Sequence, residues 1–253
     1  MSLTHAQIQQ FKIDGYLKLP KQLTQKQTSR VRALVDEHLG ARIEPFELEA
    51  DVHYPGAPES TDAPGGLTIR RLKSAYTRAP ELRELAQLPL VVDAVQQILE
   101  SRHVLLNPNH HNCVMTKQPE FSSETLWHRD TRYWNFNNKY LINSWVAIGD
   151  EVNTNGAMKI LPGSHRWELA KGAVDEAQFL IVDHADNIDR LKTARTVEMQ
   201  SGDVLLFSAH CFHAAGRNQT TKPKYSVVFT YHGEDTAPLP NTPSASADEI
   251  VLR

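Results

Sequence analysis

The first hundred residues carry apolar side chains at the three- and four-residue spacing that is typical of amphipathic helices. Thr4 and Thr24 are each followed three residues later by glutamine, a capping-box pattern that predicts two helix starts. Gly15 and Gly40 mark the expected helix ends. A third helical stretch, interrupted by one proline, is predicted for residues 80–100. The N-terminal part of the chain is therefore expected to be mostly helical.

From Val104 onward the spacing changes to short apolar or alternating runs separated by turn residues. These runs predict strands near residues 104–106, 111–115, 126–134, 140–148, 158–161, 196–199, 203–207 and 225–231. About eight short strands behind a helical region favour a mainly β fold with N-terminal helices, and a cupin-like jelly roll is the natural candidate.

One domain over residues 1–253 accounts for this pattern. We expect residues 1–103 to form mostly helical support, 104–232 the jelly-roll core and 233–253 an irregular tail. Residues 44–68 are rich in proline and glycine, which predicts a long irregular segment. This segment is either a lid over an active site or a surface insertion.

Composition narrows the classes of function. The chain has 253 residues, 40% of them hydrophobic, and a net charge of -3 without a clustered basic face, which argues against nucleic-acid binding. There is no apolar run of the ~18 residues that a membrane span needs and no secretory pattern at the start. Cys113 and Cys211 lie in apolar runs and are expected to be buried thiols. We expect a cytoplasmic protein that acts on a small molecule, with its oligomeric state open.

The candidate chemistry begins at His128-Arg129-Asp130, which lies between aromatic residues. On an extended strand the side chains at positions i and i+2 share one face, so His128 and Asp130 would point into one cavity. They would supply two of the three ligands of a 2-His-1-carboxylate site for non-haem Fe(II). A second such tripeptide begins at His184, but it lies in a polar run and is read as a solvated loop or helix end.

The third ligand has two candidates on the segment that follows the strand at 203–207. His210 and His213 differ by three residues, so on an extended segment they would face opposite ways. The metal needs one of them, and spacing alone leaves both open.

Several ordered motifs resemble the phytanoyl-CoA dioxygenase family. They are Phe11-Lys12-Ile13-Asp14-Gly15-Tyr16, His128-Arg129-Asp130, the strand around Trp145, Asn155-Gly156 followed by Leu161-Pro162-Gly163-Ser164-His165-Arg166, and Gly202-Asp203 leading to His213 and Asn218. The resemblance covers nearly the whole chain. It implies a double-stranded β-helix and an oxygenase that uses Fe(II), 2-oxoglutarate as cosubstrate, and O2.

The resemblance also assigns residues. It implies that His128, Asp130 and His213 bind the metal, with His213 preferred to His210 because a family-like turn follows it. The family's arginine that grips 2-oxoglutarate corresponds here to Lys224, a departure because lysine lacks the bidentate fork. Lys224 is expected to take that role as a point charge; otherwise Arg217 or an arginine from elsewhere in the chain does so. The other candidates for cosubstrate binding are Lys117, Trp145 and Asn143.

The activity implied is hydroxylation of a small, anionic metabolite such as a sugar acid or an amino-acid derivative, with decarboxylation of 2-oxoglutarate to succinate. An acidic residue at position 130 argues against halogenation, because relatives that halogenate have a small residue there. Candidate substrate-binding residues are Arg70, Arg71, Arg132, Tyr133, Trp134, Lys159 and Arg217. Lys224 in place of arginine keeps two alternatives open: a cupin-like metalloenzyme that does not use 2-oxoglutarate, and a non-enzymatic small-molecule binding protein.

Overall fold

The computed structural model describes residues 2–252. Its helices are α1 (His5–Asp14), α2 (Gln25–Gly40), α3 (Ala75–Arg78), α4 (Pro80–Ala86), α5 (Pro89–Leu99) and α6 (Ala185–Leu191). Its strands are β1 (Tyr16–Leu19), β2 (Phe46–Leu48), β3 (Ile69–Lys73), β4 (Val104–Leu106), β5 (Asn112–Lys117), β6 (Thr125–His128), β7 (Leu141–Ala147), β8 (Met158–Ile160), β9 (Arg195–Thr196), β10 (Val204–Ser208), β11 (His213–Ala215), β12 (Lys224–Gly233) and β13 (Ile250–Val251).

Both N-terminal helices begin as the sequence predicts. Thr4 and Thr24 accept a hydrogen bond from the backbone of the glutamine three residues on, and both capping boxes are complete. Gly15 ends α1 with a φ of 78°, a left-handed conformation that glycine adopts without strain. These local signals therefore set where the helical support begins and where α1 ends.

The strands form two antiparallel sheets over residues 2–252. The larger sheet has the order β1-β10-β7-β12-β5-β3-β2, and β4 joins it through β12 and carries β13 on its other side. The smaller sheet has the order β6-β11-β8-β9. The fold is the expected mainly β jelly roll with N-terminal helices, although the larger sheet also recruits three strands that lie before residue 104.

Alternation along the long strands separates two cores. On β12, Val227 and Phe229 pack into a core shared with the helices, and so do Val146 of β7 and Val204 of β10. The opposite faces of β7 and β10 pack against β8 in a second core, so the two sheets face each other. Residues of this inner face, including those at positions 117, 143, 145 and 224, point between the sheets. The sheet interior is therefore where a site can form.

Two regions differ from the sequence-based expectation. The segment 44–68 is not irregular throughout, because Phe46–Leu48 forms β2 and pairs with β3. The tail after residue 232 is irregular over most of its length, but Ile250–Val251 pairs with β4. Neither short strand carries an apolar alternation long enough to be recognised in isolation.

None of the helices within residues 2–252 has the length and apolar character that crossing a membrane would require. Cys113 and Cys211 are buried free thiols, as expected from their apolar surroundings.

Candidate metal centre

Three side chains from separate elements meet between the sheets. His128 is the last residue of β6 and Asp130 opens a 3-10 turn over Asp130–Tyr133. His213 is the first residue of β11 and stands directly opposite His128 in the register of the two strands. This pairing brings the two imidazole centroids to 4.2 Å from each other. The expectation that His128 and Asp130 share one strand was wrong, because the strand ends at His128 and the turn carries the carboxylate back to the imidazoles.

The donor atoms converge on one point. The Nε2 atoms of His128 and His213 each lie 3.5 Å from Oδ1 of Asp130. One ligand atom from each of the three residues lies within 4.8 Å of the other two. Two imidazoles and one carboxylate in this arrangement match the donor set of a non-haem Fe(II) site with open positions.

The second nitrogen of each imidazole fixes the tautomer. Nδ1 of His128 lies 2.8 Å from the carbonyl oxygen of Leu126, and Nδ1 of His213 lies 3.1 Å from that of Cys211. A carbonyl oxygen can only accept, so each Nδ1 carries the proton and each Nε2 presents a lone pair. The residues present therefore fit a metal ion, because both ligating nitrogens are already in the form that binds one.

The environment of Asp130 and His213 favours the protonation states that bind a metal ion. Burial alone would raise the pKa of Asp130, but the charge of the neighbouring His111 and the hydrogen bond that it donates hold that pKa well below its ordinary value. Burial lowers the pKa of His213 to about 4. At neutral pH the carboxylate is therefore charged and this imidazole is neutral, as metal binding requires.

Asn143 was expected to contact the cosubstrate, but it holds the candidate ligand Asp130 instead. Its side-chain N–H donates to Oδ2 of Asp130 at 2.6 Å, and Thr230 Oγ1 donates to its amide oxygen at 2.6 Å. Asn143 is fully buried and is not among the residues that line the cavity. Strand β7 therefore positions the carboxylate of Asp130 through the side chain of Asn143.

His210 lies outside the cluster. Its Nδ1 is 3.0 Å from Oγ1 of Thr131, and burial lowers its pKa to about 3. The choice of His213 over His210 thus agrees with the geometry, in which only the former pairs with His128 among the described residues.

A cavity of about 470 Å³ opens over the three side chains and is large enough for the keto acid together with a small substrate. Trp145, Lys117 and Lys224 all line it, as expected. Lys224 Nζ lies 3.0 Å from Oε2 of the buried Glu151, and Trp145 Nε1 donates to Oε1 of the same carboxylate at 2.9 Å. The charge of Lys224 is therefore paired within the protein.

Lys117 stands directly opposite Lys224 on the neighbouring strand. Its Nζ donates to the carbonyl oxygen of Ser123 at 2.8 Å. Burial, followed by the positive charges of Lys224 and Arg70, lowers the pKa of Lys117 to about 7. Like charges that face each other across two strands repel. An anion bound beside these two lysines would reduce the repulsion, so this part of the cavity favours an anion.

The predicted substrate residues are only partly brought together. Arg70, Arg71, Arg132 and Trp134 line the cavity, whereas Lys159 and Arg217 are not among the lining residues. Arg217 instead donates to the backbone carbonyls of Ser122 at 3.0 Å and Glu120 at 2.6 Å, which satisfies its guanidinium away from the site. The side chain of Tyr133 lies outside the part of the chain that the structure describes.

The segment 44–68 contributes to the cavity wall. Tyr54 lines the cavity, and its hydroxyl accepts a hydrogen bond from Arg132 at 3.1 Å. Arg132 also donates to the carbonyl of Ala177 at 3.0 Å and lies 3.7 Å above the ring of Phe179. The segment is thus part of the site, and closure over a substrate stays a prediction.

Sequence reasoning missed His111 and Lys73, which also line the cavity. Nε2 of His111 lies 2.8 Å from Oδ1 of Asp130. The signal was present, because residues 111, 113, 115 and 117 alternate onto the same face as Lys117. Residues 111–115 were predicted only as a strand, and no face of that strand was assigned to the site.

The model of the phytanoyl-CoA dioxygenase family matches residues 11–226, which include every element of the candidate metal centre. The chain belongs to this family. Because the family model spans most of the chain and the three ligand positions converge, the chain is a 2-oxoglutarate-dependent dioxygenase whose cofactors are Fe(II), 2-oxoglutarate and O2. The two alternatives that Lys224 had kept open are thereby set aside.

Curated relatives span comparable lengths. A probable phytanoyl-CoA dioxygenase of Caenorhabditis elegans is 23% identical over 94% of this chain and 79% of the relative. An ectoine dioxygenase of Streptomyces avermitilis is 23% identical over 98% of this chain and 85% of the relative. A methylphosphonate hydroxylase of Gimesia maris is 23% identical over 91% and 81%, respectively.

Solved structures confirm the fold. The epimerase SnoN in complex with Fe3+, alpha ketoglutarate and nogalamycin RO aligns with a TM-score of 0.75 at 20% identity over 98% of both chains. EctD from S. alaskensis with 2-oxoglutarate and 5-hydroxyectoine aligns with a TM-score of 0.76 at 18% identity over 92% of this chain and 77% of that one.

Proposed function

We propose that this chain is a hydroxylase of a small anionic metabolite, either a sugar acid or an amino-acid derivative, and that it decarboxylates 2-oxoglutarate to succinate in the same reaction. His128, Asp130 and His213 would hold the Fe(II). The observation that carries the substrate class is the charge of the cavity wall. Of the described residues that line it, six are lysine or arginine and two are acidic.

The bound iron supplies the activation of O2 that is coupled to oxidation of the keto acid, which is chemistry that the cofactor carries. The chain contributes two neutral imidazoles and one carboxylate to hold it. Asp130 occupies the position that would have to be vacated for a halide, and this supports hydroxylation over halogenation. The sheet interior keeps bulk water away from the reacting atoms.

Lys117 and Lys224 are the residues we propose for the far carboxylate of 2-oxoglutarate, with Trp145 as the adjoining wall. Lys224 is already paired with Glu151, so this pair contributes little net charge. Lys117 then provides the uncompensated cation. Together the two lysines replace the bidentate contact that one arginine would make.

The substrate would lie beside the arginines of β3. Glu47 pairs with both Arg70, at 2.9 Å, and Arg71, at 2.5 Å, so one carboxylate serves two guanidinium groups. Arg132 and Lys73 also line the cavity. An anionic group on the substrate would find several donors here, and Arg132 is held in place by Tyr54 and Phe179.

Relatives that act on anions support this assignment. The methylphosphonate hydroxylase and a probable alpha-ketoglutarate-dependent hypophosphite dioxygenase of Stutzerimonas stutzeri, 22% identical over 68% of this chain, are named for anionic compounds. The cavity of about 470 Å³ is roomy enough for a larger anion, which favours sugar acids and amino-acid derivatives.

The test is a substrate panel with matched neutral compounds. The protein, loaded with Fe(II) under anaerobic conditions, is given 2-oxoglutarate, O2 and either a sugar acid or N-acyl amino acid or its uncharged amide. We expect an acid to stimulate succinate formation and to gain one oxygen atom, as read by mass spectrometry, while its amide does neither. Equal turnover of the amides, or of neutral hydrophobic compounds, would contradict an anionic substrate.

A further inference from the structure

The two oxygens of the Asp130 carboxylate have different partners. Asn143 donates to Oδ2 at 2.6 Å and is itself anchored by Thr230. Oδ1 faces the Nε2 atoms of His128 and His213, each at 3.5 Å, and Nε2 of His111 lies 2.8 Å from it. Oδ1 is therefore the oxygen that would face a metal held by the two imidazoles, and Oδ2 is directed toward Asn143.

The donor on Oδ1 must be His111, because a carboxylate can only accept. This hydrogen bond approaches Asp130 from the cavity, since His111 lines it, whereas the fully buried Asn143 approaches from within the sheet. The carboxylate is thus clamped between one donor on each oxygen. A carboxylate held in this way would bind a metal through one oxygen, as the donor set of a 2-His-1-carboxylate site requires.

The imidazole of His111 is also held from its other side. Its ring packs edge-on against the indole of Trp134, with centroids 5.4 Å apart, and that indole stacks on His110 at 4.6 Å. All three rings line the cavity. His111 therefore has a fixed orientation between the aromatic wall and the carboxylate.

We infer that His111 is a positioning residue that sets the orientation of Asp130 and covers its negative charge on the substrate side. The second effect matters in a cavity that takes an anion, because an uncovered carboxylate would repel it. This inference rests on the proposed metal ligands. Nothing in the sequence or in the family comparison assigns a role to this histidine.

The experiment compares metal binding by matched pairs of variants. His111→Phe keeps an aromatic ring but loses the N–H, and His111→Gln keeps a donor. We titrate apoprotein anaerobically with Fe(II), and separately with Co(II), whose visible absorption reports the coordination geometry. His111→Phe should weaken Fe(II) binding ~10- to 100-fold, as loss of an outer hydrogen bond does at other metal sites, and should change the Co(II) spectrum. His111→Gln should stay within a few-fold of the parent protein.

His210→Phe and His210→Gln are the matched controls, because His210 forms a hydrogen bond with Thr131 rather than with Asp130. Both should bind Fe(II) and Co(II) as the parent protein does. Thermal unfolding of each apoprotein shows whether a variant folds, and His111→Met, which lacks the N–H but is flexible, replaces His111→Phe if the ring is not accommodated.

Unchanged Fe(II) affinity and an unchanged Co(II) spectrum in folded His111→Phe or His111→Met would overturn the inference. So would equal loss in His111→Gln and His111→Phe, because the ring would then act through packing alone. A parallel titration of His213→Ala separates this failure from that of the proposed metal centre. If that variant also binds metal like the parent protein, the ligand assignment itself has failed.

Discussion

Lys224, which the resemblance aligns with a family arginine, pairs with a buried carboxylate. Glu151 is fully buried and accepts hydrogen bonds from Lys224, Trp145 and Ser226, the last at 2.6 Å. Glu151 precedes its lysine by 73 residues, so no local pattern could reveal the pair. We therefore propose Lys117, which faces Lys224 across the strands, as the cation available to the cosubstrate.

The lowered pKa of Lys117 predicts that 2-oxoglutarate binding depends on pH. Its pKa of about 7 reflects burial and the charges of Lys224 and Arg70, which Glu49 and Glu124 only partly offset. A bound carboxylate stabilises the ammonium and raises this pKa. Affinity should therefore be highest below pH 7 and should fall up to ~tenfold per pH unit above it, because binding must then take up a proton. Calorimetry of the anaerobic Fe(II) protein, in buffers of different ionisation enthalpy, measures the affinity for 2-oxoglutarate and the number of protons taken up on binding.

The matched variants are Lys117→Met and Lys12→Met, the second of which removes an exposed lysine paired with Glu100. The first should bind 2-oxoglutarate weakly and without this pH dependence, and the second should resemble the parent protein. A parent protein whose affinity is flat or rises from pH 7 to 9 would refute the role of Lys117.

Glu151→Ala should strongly destabilise the protein. It leaves the buried ammonium of Lys224 without its counter-ion, and breaking a buried pair in this way costs about 3–5 kcal/mol. Replacing both partners, by Glu151→Gln with Lys224→Met, should recover much of this loss because no uncompensated charge remains. Urea unfolding measures the free energies. A Glu151→Ala variant within about 1 kcal/mol of the parent protein would show that water already reaches the pair.

At the scale of elements, the fold depends on where strands end. Strand β6 stops at His128 and the 3-10 turn follows at once, held by the N–H of Asp130, which donates to the carbonyl of Ala209 at 3.0 Å. The partner in this hydrogen bond lies on the segment that leads to His213. The turn is thus fixed by a long-range contact, which explains why alternation alone predicted a continuous strand.

The C-terminal tail supports the substrate side of the cavity through Ser244. The hydroxyl of this buried residue accepts from the N–H of Asn135 at 2.8 Å and lies 2.7 Å from Nε2 of His110. Its carbonyl accepts from the side chain of Asn109 at 2.9 Å. His110 and Asn109 both line the cavity, so the tail holds one of its walls in place.

Ser244→Ala should therefore weaken substrate binding while leaving 2-oxoglutarate binding unchanged. Loss of the buried hydroxyl should also lower the free energy of unfolding by about 1–3 kcal/mol. The exposed Asp248 of the same tail is the control, and Asp248→Ala should alter neither quantity. A Ser244→Ala variant that weakens cosubstrate binding equally would mean that the tail supports the whole fold rather than this wall. The measurements are KM for each substrate and urea unfolding.

For the whole molecule, local signals predicted a large part of the fold. Capping boxes placed the helices, and alternation placed β4, β5, β7, β8, β10 and β12 close to their observed bounds. Lys117, Trp145 and Lys224 were assigned to the cosubstrate pocket by the family resemblance, and all three line the cavity. What the sequence could not give was the partners of these side chains, since Glu151, Asn143 and His111 act across strands that are distant along the chain.

The proposed chemistry depends on the metal centre formed by His128, Asp130 and His213. Its most direct test is the visible charge-transfer band that appears when 2-oxoglutarate is added to Fe(II) protein without oxygen. We expect the parent protein and His210→Ala to develop the band at one equivalent of iron, and His213→Ala to lack it. A band in His213→Ala with none in His210→Ala would contradict the ligand assignment, and the absence of a band in the parent protein would contradict the use of the keto acid.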